Sequence, residues 1–149
     1  MAKYQIHPNE KEPAAYTNTI PKKRIQELKP KIKETIVKKK RYLVENYRIE
    51  QLAKELNTNT RYVAAAIKLG YGMNFPSFVN KCRVEASLKY LQKLKELNLN
   101  VQDIAGLVGF KHRQPFYAAF YKNFQITPRQ YLQLYLRMTK EKKAKETEQ

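Results

Sequence analysis

Several residue types are scarce in this sequence, and each scarcity removes a class of protein. Cysteine occurs once, at Cys82, so no disulfide can close within the chain, and this usage fits a reducing cytosol. Cys82 itself reads as a small buried apolar residue. Histidine occurs twice, at His7 and His112, and aspartate once, at Asp103. From so few groups no metal cluster, Ser-His-Asp set or phosphate-cradling glycine loop can be assembled, which argues against an enzyme and against a bound cofactor or metal. No apolar run approaches the roughly 20 residues of a membrane span. The opening "MAKYQIHPNEKEPAAYTN" also lacks the apolar core of a secretory signal.

Acid is scarce too, and base is abundant. Thirty Lys and Arg face thirteen Asp and Glu, a net charge of +17. The excess is spread out: twelve bases against five acids in residues 1–47, nine against four in 48–97, five against one in 98–137, and four against three in 138–149. Between Glu96 and Glu141 the lone acid is Asp103, while Lys111, Arg113, Lys122, Arg129 and Arg137 occupy the same interval. Charge of this size repels itself unless a polyanion neutralises it. Nucleic acid is therefore the leading partner, and an acidic membrane surface ranks second.

Residues 1–20 mix polar groups with Pro8 and Pro13 and read as a loose arm. From Pro21 a basic helical pattern begins and is interrupted at Pro30, after which Ile32, Ile36, Leu43 and Val44 recur at roughly helical spacing. The run "KKKRY" from Lys38 could touch phosphate or simply form a solvated face. Next, Ile49, Leu52, Ala53 and Leu56 form one apolar stripe, Asn57 and Thr58 break it, and Val63, Ala66 and Ile67 form another. Two short helices joined by a tight turn, with Ala53 where they cross, make a helix-turn-helix. Asn57 suits a left-handed turn position, and Thr58 or Asn59 suits a helix cap. Phe75 and Pro76 open a longer helix, free of Gly and Pro from Ser77 to about Leu97, with Phe78, Cys82, Ala86, Leu91 and Leu94 facing inward. Then the first motif repeats. In "VQDIAGLVGF" Ile104, Ala105 and Val108 take the places of Leu52, Ala53 and Leu56, with Gly109 at the turn. Phe116 and Phe120 stand in for Val63 and Ile67, and Pro115 falls in the first helical turn, where it is tolerated. Thr127 and Pro128 open a last helix, and a charged tail follows from about Met138.

This ordered set, "IEQLAKELNTNTRYVAAAIK", "NFPSFVNKCRVEASLKYL", "VQDIAGLVGF", "FYAAFYKNF" and "ITPRQYL", resembles the DNA-binding domain of AraC/XylS-type transcription regulators over about Ile32 to Leu136. The "ELNTNTRYV" wording resembles the subgroup common in Bacteroidetes-type bacteria. The resemblance implies an all-α, homeodomain-like fold of about seven helices, two helix-turn-helix subdomains joined by a long linker helix. Segments follow accordingly: 1–20 a flexible arm, 21–74 the leading helix and first motif, 75–97 the linker, 98–137 the second motif and final helix, 138–149 the tail. It also implies sequence-specific binding of double-stranded DNA as a cytoplasmic, nucleoid-associated regulator, with no membrane contact. RNA polymerase and an N-terminal sensor domain outside this chain are further implied partners. A linker of about 30 Å approximates the ~34 Å helical repeat of B-DNA.

With Val63 and Ile67 set inward, helical periodicity turns Arg61, Ala64, Ala65 and Lys68 outward. Phe116 and Phe120 do the same for Gln114, Tyr117, Ala118 and Tyr121, with Arg113 at the helix entrance. Arg suits guanine, Gln suits adenine, and Ala and Tyr offer apolar contact to thymine methyls, so these nine are the expected base-reading positions. Thr60, Lys111, Lys122, Thr127 and Arg129 are the expected phosphate contacts. Arg83 matches a family arginine with an internal role and is left out of both sets. The pattern departs from the family at Tyr121 (usually Lys), Gln125 (usually Gly), Leu132 (usually Arg) and His112 (often Ser), which weakens specific phosphate expectations and alters the turn before Thr127. The competing readings are a sequence-indifferent nucleic-acid binder and a protein-interaction module on the same fold.

Overall fold

The computed structural model describes residues 20–148, so the arm expected over residues 1–20 lies, Ile20 excepted, outside the described residues. Those described form seven α-helices and no strand. They pack as two units, the first reaching to Lys39 and resuming over Arg48–Phe78, the second taking Lys40–Tyr47 and the chain from Val79 onward.

In the first unit, α1 (Lys22–Lys33) buries Ile25, Leu28 and Ile32 on one face. Pro30 sits inside α1 rather than interrupting it. Its ring forfeits one backbone bond at a cost of about 3 kcal/mol. Burial of Leu28 and Ile32 on either side, about 1.5–3 kcal/mol each, offsets that loss. Beyond α1, Glu34–Lys38 winds as a π turn in which the Lys39 N–H donates to the Glu34 carbonyl at 2.9 Å. Helices α2 (Ile49–Glu55) and α3 (Thr60–Tyr71) form the first motif, and both α1 and α2 pack on α3. Asn57 turns the chain with φ +53, and the Thr58 N–H returns to the Ala53 carbonyl at 2.9 Å. The Asn59 Oδ1 then accepts the Tyr62 N–H at 2.9 Å, capping α3.

Helix α4 (Phe75–Gln92) supplies its first residues to the first unit and the rest to the second. Its regular part ends at Gln92 rather than near Leu97. An irregular wound stretch carries on until Asn98, at φ +52, reverses the chain and the Leu99 N–H closes onto the Leu94 carbonyl at 3.0 Å.

The second motif repeats the first in backbone detail. Helix α5 (Val101–Leu107) opens on a reciprocal pair: the Asp103 N–H donates to Asn100 Oδ1 at 2.8 Å, and the Asn100 N–H donates to Asp103 Oδ2 at 2.9 Å. The chain's lone aspartate is thus a capping residue. Gly109 turns with φ +99, and the Phe110 N–H returns to the Ala105 carbonyl at 2.9 Å, as Thr58 did to Ala53. Helix α6 (Arg113–Phe124) drives Phe116 and Phe120 into a core with Val84, Leu91, Ile104, Val108 and Phe110. The Phe116 ring packs at 5.5 Å from Phe110 and 5.8 Å from Phe120, tilted as aromatic pairs prefer. Gln125 closes α6 in the left-handed region usually left to glycine, φ +57, its side-chain amide donating to the Lys122 carbonyl at 2.9 Å. Helix α7 (Pro128–Thr147) runs beyond Arg137, because the stretch from Met138 holds strong helix formers and no Gly or Pro.

Gly109 and Gly106 should respond oppositely to alanine. A methyl at Gly109 would meet the Tyr42 carbonyl at 2.8 Å and Arg83 Nε at 2.9 Å, on a backbone alanine avoids. Gly106, helical and exposed, has nothing within 4 Å. Thermal melting should show Gly106→Ala gaining about 0.5–1 kcal/mol and Gly109→Ala losing at least as much.

Candidate nucleic-acid interface

On α3, Val63, Ala66 and Ile67 anchor the helix inward, while Arg61, Ala64 and Lys68 are exposed, with Thr60 exposed at its start. Ala65 corrects the periodicity argument: it is 7% exposed and presents no methyl at the surface. Because α1 and α2 grip α3 from two directions, its buried arc is wider than that of a helix packed on one side. Lys68 Nζ reaches the Gly72 carbonyl across one turn at a long 3.5 Å. Of the four expected base readers on α3, Arg61 and Lys68 are the two exposed ones that carry hydrogen-bonding groups.

Periodicity did not bring Lys29 to α3, yet the structure does. A methyl placed on Gly70 would lie 3.7–3.9 Å from Cε, Cγ and Cδ of Lys29, so the lysine stem runs along the last turn of α3. The signal available in the sequence was Gly70 itself, a small residue on an otherwise unbroken helix.

On α6 the division is cleaner. Phe116, Ala119 and Phe120 are buried, whereas Arg113, Gln114, Ala118 and Tyr121 are exposed and Tyr117 is half-buried. The Arg113 guanidinium carbon lies 5.5 Å from the centre of the Tyr117 ring, and that ring stands edge-on to Phe116 at 6.0 Å. A chain of contacts from core to surface thereby limits the rotamers of the exposed arginine, lowering the entropy lost on recognition. Arg113, Gln114, Tyr117, Thr127 and Arg129 line one open depression of about 490 Å³. Three expected base readers and two expected phosphate contacts thus share a surface that carries no carboxylate. The Thr127 Oγ accepts the Gln130 N–H at 3.1 Å, and the Thr127 N–H donates to Gln130 Oε1 at 2.8 Å. This leaves the hydroxyl proton available to donate, beside the positive end of a 20-residue helix. Lys111 and Lys122 are exposed but do not line the depression.

Two groups with reactive potential are held out of the surface. The Cys82 thiol is pushed up to about 11, first by burial and then by Glu85, so it stays protonated at neutral pH. Arg83 is 8% exposed; its Nε donates to the Tyr42 carbonyl at 2.6 Å, its Nη2 to the Val44 carbonyl at 2.9 Å, and its guanidinium lies 5.3 Å from the Phe110 ring centre. Burial lowers its pKa and Glu45 partly restores it. Among the described residues no group of three or more His, Cys, Asp or Glu could hold a metal, and no helix is long and apolar enough to cross a membrane.

Arg83→Ala should cost about 1.5–3 kcal/mol for each of the two charged hydrogen bonds it removes. Arg83→Lys should recover only part, because an ammonium cannot match the planar fork. Denaturant melts of the two variants check the order.

A family described as a helix-turn-helix domain matches residues 52–134. An uncharacterized HTH-type transcriptional regulator, YtdP of Bacillus subtilis, is 29% identical over 85 residues, which make up 57% of this chain but only 11% of that protein. Among solved structures, the C-terminal domain of the two-component response regulator yesN from Fusobacterium nucleatum is similar at TM-score 0.58 and 27% identity, over 72% of this chain and 96% of that one. The C-terminal domain of AraT, a response regulator from Geobacillus stearothermophilus, aligns over 74% of this chain and 84% of its own with TM-score 0.59. At 24% identity it supports the fold alone.

Proposed function

The chain belongs to the helix-turn-helix domain family, of the AraC type that its motifs resemble, and from that premise we propose that it reads a specific duplex DNA sequence. DNA-binding transcription regulation is the role of the family. The finer reading is that α3 and α6 enter successive major-groove segments, α6 carrying most of the discrimination. One observation carries it: the depression that groups Arg113, Gln114 and Tyr117 with Thr127 and Arg129. Phosphate contacts hold register and base contacts supply choice, and a reader needs both on one surface. In this reading Arg113 donates two hydrogen bonds to guanine O6 and N7, Gln114 pairs with adenine, and Tyr117 and Ala118 lie against thymine methyls. Arg61, Ala64 and Lys68 contribute the poorer half-site on α3, and Tyr121 is a further reading position on α6. Thr60, Lys111, Lys122, Thr127 and Arg129 hold phosphates.

RNA polymerase and a sensor domain elsewhere in a longer protein are compatible partners. The small fraction of YtdP that this chain spans fits a DNA-binding module attached to other domains. A cytoplasmic setting goes with that role. Sequence-indifferent binding remains the second reading, favoured by Ala64 and the buried Ala65 on α3.

Binding measurements on a panel of duplexes should separate the residue classes. Arg113→Ala and Gln114→Ala should each relax preference at one or two base pairs, by about 1–3 kcal/mol. Arg129→Ala and Lys122→Ala should weaken all duplexes evenly. A uniform loss for all four variants would contradict base reading.

A further inference from the structure

The outward arc of α6 changes chemistry along its length. Its first turn exposes Arg113 and Gln114, which carry hydrogen-bonding groups, whereas the turns that follow present Tyr117, Ala118 and Tyr121. Tyr121 stands seven residues beyond Gln114 and so on the same side of the helix, with Tyr117 and Ala118 to either side of it. It is 56% exposed, which leaves most of its ring open to a partner. Helix α6 contains no Asp or Glu, and none lines the depression at its start. In the major groove a cytosine edge offers an amino donor and a bare C5–H, and a thymine edge offers a carbonyl and a C5 methyl. The later turns of α6 hold no charged acceptor for the first and an apolar surface for the second.

We infer that Tyr117, Ala118 and Tyr121 form a subsite for the C5 methyl group of a pyrimidine, and that it takes 5-methylcytosine as well as thymine. The inference rests on the chain reading duplex DNA through α6. Both pyrimidines place a methyl at the major-groove edge, and they differ there only in the group at C4. That group is a carbonyl in thymine and an amino group in 5-methylcytosine. A phenol hydroxyl donates to the first and accepts from the second, so Tyr117 and Tyr121 accommodate either. The methyl is then what the subsite distinguishes, and burying one contributes roughly fourfold in affinity. Methylation of cytosine thereby regulates the site: it converts a pyrimidine edge that the later turns pass over into one that they hold.

The test selects bound duplexes from random pools of three compositions. One has the ordinary bases, one has uracil in place of thymine, and one has uracil in place of thymine and 5-methylcytosine in place of cytosine. The unaltered chain should enrich thymine at one or more positions of the ordinary pool. Those positions should lose their enrichment in the second pool and enrich 5-methylcytosine in the third. A duplex recovered from the ordinary pool, with the same thymines replaced by uracils, should bind roughly fourfold more weakly for each methyl removed. Tyr121→Lys changes an exposed position outside the core, and should lower this ratio even as its added charge raises affinity for every duplex. An unchanged ratio in that variant overturns the assignment to the later turns of α6. A third pool without enriched 5-methylcytosine overturns the regulation by cytosine methylation. Equal binding of thymine and uracil duplexes, with sequence preference retained, overturns methyl reading and leaves base reading by Arg113 and Gln114 standing. Absence of enrichment in every pool sinks base reading itself, and the subsite with it.

Discussion

The second unit depends on a buried cation that holds a loop by its carbonyls. Arg83 donates to the carbonyls of Tyr42 and Val44 and places its guanidinium against Phe110. Those carbonyls belong to the short segment Lys40–Tyr47, which sequence order would assign to the first motif but packing assigns to the second unit. A hydrogen bond from a charged donor contributes about 1.5–3 kcal/mol, so the two made by the arginine favour this position of the segment. Gly109 completes the arrangement. Any side chain there would strike the Tyr42 carbonyl and Arg83 itself, so the turn of the second motif and the arginine staple require one another.

From that fixed point the surface chemistry follows in order. The Gly109 turn sets the entry into α6, Phe116 and Phe120 fix its rotation, and rotation decides that Arg113, Gln114 and Ala118 face solvent while Ala119 does not. Tyr117 links the two sides, with its edge on Phe116 and Arg113 near its face. The first unit uses the same turn geometry to a different end. Its second helix is clasped by both α1 and α2, and its outward face is sparse.

Much of this was legible in the sequence. Local chemistry that repeats was the most readable: Asn57 and Gly109 at left-handed turns, Thr127 as a cap, Thr58 or Asn59 as another (the structure uses Asn59), and phenylalanines one helical turn apart in α6. What escaped was tertiary in origin. Pro30 reads as a break because its ring removes a hydrogen bond, yet the apolar face continuing through Ile32 keeps α1 intact. Ala65 reads as outward at 100° per residue, but a helix gripped from two directions buries more than half its circumference. Gln125 departs from the glycine usual at that position, and the backbone adopts the left-handed conformation regardless, with the side-chain amide engaging Lys122. No periodicity could have placed Lys29 beside Gly70, since that contact joins two helices.

A basic surface that reads sequence chiefly through α6 must leave its mark on the duplexes it retains. Selecting bound duplexes from a random pool and sequencing the survivors tests it most directly. The account predicts an enriched site with one information-rich segment, and a weaker segment about one helical turn away. A pool that shows no enrichment at any position, while binding stays tight at low salt, would contradict it.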